Sequence, residues 1–250
     1  MKFYQILFPI LVFFLISAVF HTGNENLTIY LVGDSTMSEK DVRAYPETGW
    51  GTPFAHYFGE NVVIENHARN GRSTRTFLEE GRWEPIVENL KAGDYVFIQF
   101  GHNDEVQSKE QSTTPDNFQI NLKKYISDTR AKEANPVLLT PIARRKFNDK
   151  GQLEDTHKLY SELMREVAAS ENVPLIDMDM KSQLLLKNLG PEKSVFLYNH
   201  LEPGQNPNYP DGLKDDTHFN ELGARRMAEL VLEGIKESDM DLVRYIISGN

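Results

Sequence analysis

The chain has no cysteine among its 250 residues. That excludes a disulfide framework, a zinc–thiolate centre and a cysteine nucleophile, and it removes thiols as a guide to compartment. Positive charge is also scarce, with 27 Lys and Arg against 37 Asp and Glu and a formal net charge of −10. Such a surface repels phosphate backbones, so nucleic acid is not an expected partner. Internal repeats and low-complexity tracts are missing, which argues against a solenoid or fibrous architecture. Long apolar runs are missing too, with one exception at the start.

That exception is MKFYQILFPILVFFLISAVF. One cation, Lys2, precedes an almost unbroken apolar stretch to Phe20, and the polar HTGNENLT follows. This is the layout of a secretory signal peptide spanning residues 1–21, with the small residues Ser17 and Ala18 near a cleavage point. The competing expectation is an uncleaved signal anchor, since an apolar run of about 18 residues just spans a bilayer. Pro9 and the short length favour cleavage. Either way the remainder is expected to be exported, to the periplasm or outside the cell. A membrane partner is expected only if the leading segment stays attached. Residues 22–250 are expected to form one domain, a length at which a single core suffices.

With 40% hydrophobic and 26% charged residues, the composition is that of an ordinary globular protein. Five β-rich runs stand out: LTIYLVG from Leu27, NVVIEN from Asn61, DYVFIQFG from Asp94, NPVLLTP from Asn135 and NVPLIDM from Asn172. Each leads into turn residues and then a helical pattern. Continuous apolar strands alternating with helices predict a parallel sheet covered on both faces, a three-layer α/β/α sandwich with five strands. Two helices are legible in detail. Phe118, Leu122, Tyr125 and Ile126 form one stripe, and Met227, Leu230, Val231 and Ile235 form another. Trp50, Phe54, Tyr57 and Phe58 share helical spacing and are expected in the core rather than on a sugar platform.

In such sheets ligands sit beyond the carboxyl ends of the strands. Ser35, Asn103 and residues 141–146 follow three of the predicted strands, so they should share one rim. GDS at Gly33–Ser35 is weak alone, because turns favour all three residues and a helix N-cap would use the same serine. Other blocks strengthen it. In ARNGRSTR, Gly71 offers a backbone N–H that no side chain screens, and in FGHNDE, Asn103 offers an amide N–H. In LKDDTHFN, Asp215 precedes His218 by three residues, a spacing at which a turn or helical step lets the carboxylate orient the imidazole. Asp216 lacks that spacing. The chain order Ser, Asp, His is that of α/β-hydrolases, but their G-x-S-x-G elbow is broken by Met37. Asp104 is expected as a local cap, and His56, His67, His102 and His157 as structural residues.

GDST, TGWG at Thr48–Gly51, NGRSTR at Asn70–Arg75, GHND at Gly101–Asp104 and DDTH at Asp215–His218 occur in that order. In this the chain resembles the SGNH (GDSL-like) hydrolase superfamily, and within it the rhamnogalacturonan acetylesterase family. The resemblance covers nearly all of the chain after the leading segment. It implies a flavodoxin-like fold and a serine esterase without metal or other cofactor, acting on an acetylated pectic polysaccharide. It also implies Ser35 as nucleophile, His218 as base and Asp215 as its partner, with an oxyanion hole of Ser35 N–H, Gly71 N–H and the Asn103 side chain.

A rhamnogalacturonan chain carries carboxylates, which arginines suit. Arg72, Arg75 and Arg82 follow the second predicted strand, and Arg144, Arg145 and Lys146 the fourth. Of these, Arg72, Arg75, Arg144 and Arg145 are candidate substrate contacts, together with His200 in the loop YNHLEPGQNPNYPDG. Rival expectations are another acetylated glycan such as xylan or a lipid ester, since the fold does not choose the alcohol. A metallophosphoesterase is disfavoured because GDSTM and GHND do not match its G-D-x-H and G-N-H-E patterns. A non-catalytic glycan-binding protein would have no need of Ser35, Asp215 and His218 together.

Overall fold

The computed structural model describes residues 26–247; the leading segment, with its expected boundary at residue 21, lies outside them. Five parallel strands form the central sheet: β1 (Leu27–Gly33), β2 (Val62–Asn66), β3 (Tyr95–Gln99), β4 (Asn135–Leu139) and β5 (Leu175–Ile176). Their spatial order is β2-β1-β3-β4-β5. Ile29 of β1 lies beside Ile64 of β2 on one side and Tyr95 of β3 on the other. This is the flavodoxin-like doubly wound order, in which the direction of winding reverses at β1 and opens a crevice between the ends of β1 and β3.

Alternation along the strands divides their side chains between two cores. Ile29, Leu31, Phe97, Val137 and Leu139 join one, and Tyr30, Val32, Val96, Ile98 and Leu138 join the other. The first core is covered by α1 (Gly51–Phe54), α6 (Met178–Ser194) and α7 (Glu221–Glu237). The second is covered by α2 (Thr74–Glu79), α3 (Glu84–Asn89), α4 (Pro115–Ala131) and α5 (Lys158–Glu171). β1, β3 and β4 therefore carry buried apolar residues on both faces, which explains the unbroken runs in the sequence, whereas edge strand β2 exposes Val63 and Glu65. Both predicted helical stripes are buried. Trp50, Phe54 and Phe58 lie in the first core, with Tyr57 packed against it.

The sequence pattern and the structure differ in two places. The fifth strand is only two residues long. Pro174 before it has no N–H to donate, and Asp177 after it caps α6 by accepting from Met180 N–H. The second difference is an antiparallel ribbon of β6 (Tyr198–Leu201) and β7 (Leu213–Phe219) that no apolar run announces. LKDDTHF carries charged and polar residues where a strand signal needs β-branched or aromatic ones.

Helix α7 follows the ribbon closely. Asn220 caps it by accepting from Gly223 N–H, and its side-chain amide donates to the Phe196 and Tyr198 carbonyls. A Cβ at Gly223 would stand 1.8 Å from the Leu197 carbonyl oxygen, so the close seat of α7 on the ribbon requires glycine. Gly223→Ala is expected to lower stability by about 1–3 kcal/mol through overpacking, even though alanine is the better helix former. A urea midpoint equal to or above that of the parent chain would contradict this packing.

Candidate active site

The nucleophile candidate sits where β1 ends. Met37 and Ser38 N–H both donate to the Asp34 carbonyl, closing a tight turn around Ser35. Inside it, Asp34 Oδ1 accepts from the Thr36 N–H at 2.9 Å and the Thr36 hydroxyl at 2.8 Å. Asp34 is fully buried, and burial raises its carboxyl above the ordinary carboxylate range. Its side chain thus braces the turn and does not face the rim.

Ser35 Oγ lies 2.8 Å from His218 Nε2, and His218 Nδ1 lies 2.7 Å from Asp215 Oδ2. A carboxylate can only accept, so Nδ1 carries the proton and Nε2 is left to accept from the Ser35 hydroxyl. The expected turn-like step is a bulge in β7. Asn199 pairs with Asp215 while the adjacent Tyr198 pairs with Phe219, so residues 216–218 are looped out of register. Asp215 Oδ1 holds that loop by accepting from the Thr217 N–H at 2.7 Å and the His218 N–H at 3.0 Å. Burial raises the Asp215 carboxyl, but the His218 ring and these N–H groups outweigh it and hold it at about 2.

The candidate oxyanion donors are backbone and amide N–H groups of the loops after β1, β2 and β3. Among the described residues, neither the Ser35 nor the Gly71 N–H donates to a protein acceptor. Gly71 has φ of 76°, and a Cβ there would meet nothing within 4 Å. Glycine is therefore demanded by the left-handed backbone and not by crowding. Asn103 Nδ2 donates one N–H to the Arg72 carbonyl at 3.0 Å, which leaves its second N–H to point elsewhere. Gly101, with φ of 137° and a would-be Cβ 2.8 Å from Pro141 Cγ, sets the path of this loop.

The neighbouring residues hold these segments together. Asp104 does not cap its own segment: Oδ1 accepts from the Thr74 N–H and hydroxyl, at 3.0 and 2.6 Å, tying the Asn103 loop to the start of α2. Burial pushes Asp104 up to about 6. His102 and His157 are buried with ring centres 4.2 Å apart, and His157 Nδ1 lies 2.8 Å from Glu105. Burial holds His102 well below the ordinary imidazole range, so it is neutral. His67 is exposed beside Glu65, and His56 is exposed away from these residues.

The candidate substrate cations all have protein partners. Arg75 donates to the Ser112 and Glu110 carbonyls and pairs with Glu79, and so anchors a loop. Arg144 donates to Thr217 Oγ1 at 2.9 Å and to the His102 carbonyl and Glu105 at 3.2 Å, joining the Asn103 loop to the β7 bulge. Arg72 pairs with Glu80, as does Arg82. Arg145 and His200 both meet Asp216, at 2.7 and 2.8 Å, and Lys146 meets Glu154. Among the described residues no three His, Asp or Glu side chains are grouped so as to hold a metal ion. Three groups beyond the motifs also touch this region: Glu105, Glu47 and Lys40. No spacing rule marks them, although Lys40 lies five residues after Ser35.

The pattern of the GDSL-like lipase/acylhydrolase family matches residues 31–226. The rhamnogalacturonan acetylesterase RhgT of Bacillus subtilis is 41% identical over 89% of this chain and 95% of its own length. The probable rhamnogalacturonan acetylesterase YesY of the same organism is 38% identical over 88% and 97%. Among solved structures, YxiM of Bacillus subtilis superposes with a TM-score of 0.74 at 28% identity, covering 86% of this chain and 58% of that one. Axe2, an acetylxylan esterase from Geobacillus stearothermophilus, shares the fold with a TM-score of 0.60 at 17% identity.

The depressed Asp215 carboxyl gives a stability signature. Because its folded value lies near 2, below the ordinary 3.8, it contributes stability that is complete above pH 4 and lost as pH falls toward 2. After allowance for solvent screening of a partly exposed group, the contribution is about 1 kcal/mol. Asp215→Asn should flatten the stability–pH curve by that amount between pH 4 and 2. Parallel curves in urea titrations would show that Asp215 is not held by His218.

Proposed function

The chain belongs to the GDSL-like lipase/acylhydrolase family, and we propose that it removes O-acetyl groups from pectic rhamnogalacturonan through an acetyl-Ser35 intermediate. The observation that carries the reading is the unbroken line from Ser35 Oγ through His218 to Asp215, at 2.8 and 2.7 Å. The choice of substrate is supported by the likeness to rhamnogalacturonan acetylesterases over most of both chains. The apolar leading segment supports an exported protein.

His218 Nε2 takes the Ser35 proton as Oγ attacks the acetyl carbonyl carbon. The carbonyl oxygen becomes an oxyanion and receives hydrogen bonds from Ser35 N–H, Gly71 N–H and the second N–H of Asn103 Nδ2. Collapse breaks the bond to the sugar oxygen, which leaves with the proton from His218. Water then attacks the acetyl-serine, giving its proton to His218, and collapse releases acetate and returns the proton to Ser35. Throughout, Asp215 holds the Nδ1 proton in place and stabilises the imidazolium form.

Arg72 and His200 stay the candidates for galacturonate carboxylates, whereas Arg145 also donates to Ser194 Oγ and the Pro191 carbonyl and so holds a loop, as Arg144 does. Arg72 pairs with Glu80 and His200 hydrogen-bonds to Asp216, both partly exposed carboxylates, and such surface contacts are worth little in water. A substrate carboxylate can therefore exchange for Glu80 or Asp216. Rising salt should then raise KM on the polymer and leave KM on a small neutral acetate ester unchanged. Equal salt effects on both would remove the charge reading.

The deciding experiment is acetate release from acetylated rhamnogalacturonan, run with chelator and beside two variants. Ser35→Ala should lose on the order of a millionfold in kcat, and Asn103→Ala about a hundred- to a thousandfold. Near-parental turnover by Ser35→Ala would overturn the serine mechanism. Cleavage of a small activated acetate ester without release from the polymer would keep the mechanism and transfer the substrate to another acetylated glycan.

A further inference from the structure

Lys40 lies five residues beyond Ser35, and the mechanism above gives it no part. Its side chain is only 5% exposed, a rare setting for lysine unless every donor is engaged. Here all three are. Nζ donates to the Ser35 carbonyl at 2.6 Å and to Asn70 Oδ1 at 2.7 Å, and it pairs with Glu47 Oε1 at 2.7 Å. These partners come from three segments: the nucleophile turn, the loop that carries Gly71, and the approach to α1. Ser38 Oγ donates to the same Asn70 oxygen at 2.6 Å. Burial lowers the Lys40 ammonium from the ordinary lysine range, and Glu47, Asp34 and Asp215 oppose that shift.

The backbone around these contacts explains why they matter. An oxyanion hole of Ser35 N–H and Gly71 N–H works only if two loops from different strands keep a fixed separation. Gly71 has no side chain with which to anchor itself. Its neighbour Asn70 is exposed, yet its amide oxygen is drawn in by both Lys40 and Ser38. We propose that Lys40 is a positioning residue that latches the Ser35 turn to the Asn70–Gly71 loop, setting the convergence of the two backbone donors on one oxyanion. The inference rests on the esterase reading, because its effect is felt in acyl transfer. Misplacing such donors by about 1 Å costs on the order of a hundredfold in rate. The loss belongs to kcat, since the donors meet their full charge only in the transition state.

The absence of cysteine from the chain allows a test specific to the ammonium. Lys40→Cys, expressed from the full sequence, is alkylated while unfolded and then refolded. One portion receives 2-bromoethylamine, which rebuilds an ammonium at nearly the lysine length; another receives iodoacetamide, which adds a neutral amide. Hydrolysis of a small activated acetate ester is the readout, with the parent chain taken through the same cycle. Activity of the parent chain establishes the esterase separately, and its absence would count against that reading and not against the latch.

The expected result is a loss of about ten- to a hundredfold in kcat for the cysteine and neutral forms, with KM within about twofold, and recovery to within a few-fold on aminoethylation. Equal kcat for the two adducts would overturn the proposal. Asn70→Ala, a surface change that removes the far side of the latch, provides a second arm that does not depend on refolding. It should lower kcat by about five- to twentyfold at unchanged KM. Parental kcat in Asn70→Ala would likewise overturn it.

Discussion

The 2.7 Å contact between Asp215 and His218 sets the geometry to which the remaining rim segments conform. Both residues lie in one looped-out stretch of β7, and Asp215 spends one oxygen on the backbone of that stretch and the other on the imidazole. The same carboxylate therefore shapes the bulge and fixes the ring. Once Nδ1 is committed, Nε2 is the only ring atom left to meet Ser35, and the Ser35 turn must sit within hydrogen-bond reach of it. The position of the ribbon is fixed in turn by Asn220, which links α7 to β6.

Burying charges costs solvation free energy that pairing only partly returns, so buried ion pairs are poor sources of stability. At this rim they serve geometry. Asp104 draws Thr74 toward the Asn103 loop, and Arg144 reaches from the segment after β4 to both the Asn103 loop and Thr217 in the bulge. Each charged side chain spans segments that the sheet alone leaves independent. The parallel sheet delivers four loops to one rim, and the ionic and amide contacts between them set their spacing.

Much of this was legible in the sequence because it obeys short-range rules. β1, β3 and β4 are buried on both faces and read as apolar runs, edge strand β2 exposes Val63 and Glu65, and α4 and α7 read as stripes. Ser35, Gly71, Asn103, Asp215 and His218 are legible together because GDST, NGRSTR, GHND and DDTH occur in order and Asp215 precedes His218 by three residues. The fifth strand was overestimated because an apolar run cannot show how Pro174 and Asp177 truncate it. The β6–β7 ribbon was missed since its pairing joins segments of charged and polar residues, with a register shift that no periodicity encodes. Arg75 and Arg144 illustrate a further limit. A cation at a rim looks the same in sequence whether it faces a ligand or a backbone carbonyl, and only the fold shows that these two hold loops.

The oxyanion donors reveal how tightly these parts are coupled. Asn103 Nδ2 gives one N–H to the Arg72 carbonyl, one residue beyond Gly71, so the side-chain donor is tied to the loop that carries a backbone donor. Ser73 then starts α2 with a reciprocal cap to Thr76, and Asp104, next to Asn103, receives Thr74 of the same helix. The Gly71 loop is thus held on its C-terminal side, at Arg72 and Thr74, by the GHND segment, and any change at Asn103 removes a donor and slackens the Gly71 N–H as well. Donors linked in this way act as one preorganised unit, whose energetic effects do not divide into separate residue contributions. Under the proposed mechanism, the requirement for such a unit accounts for NGRST and GHND occurring together although Gly71 and Asn103 alone among their residues are assigned to the oxyanion.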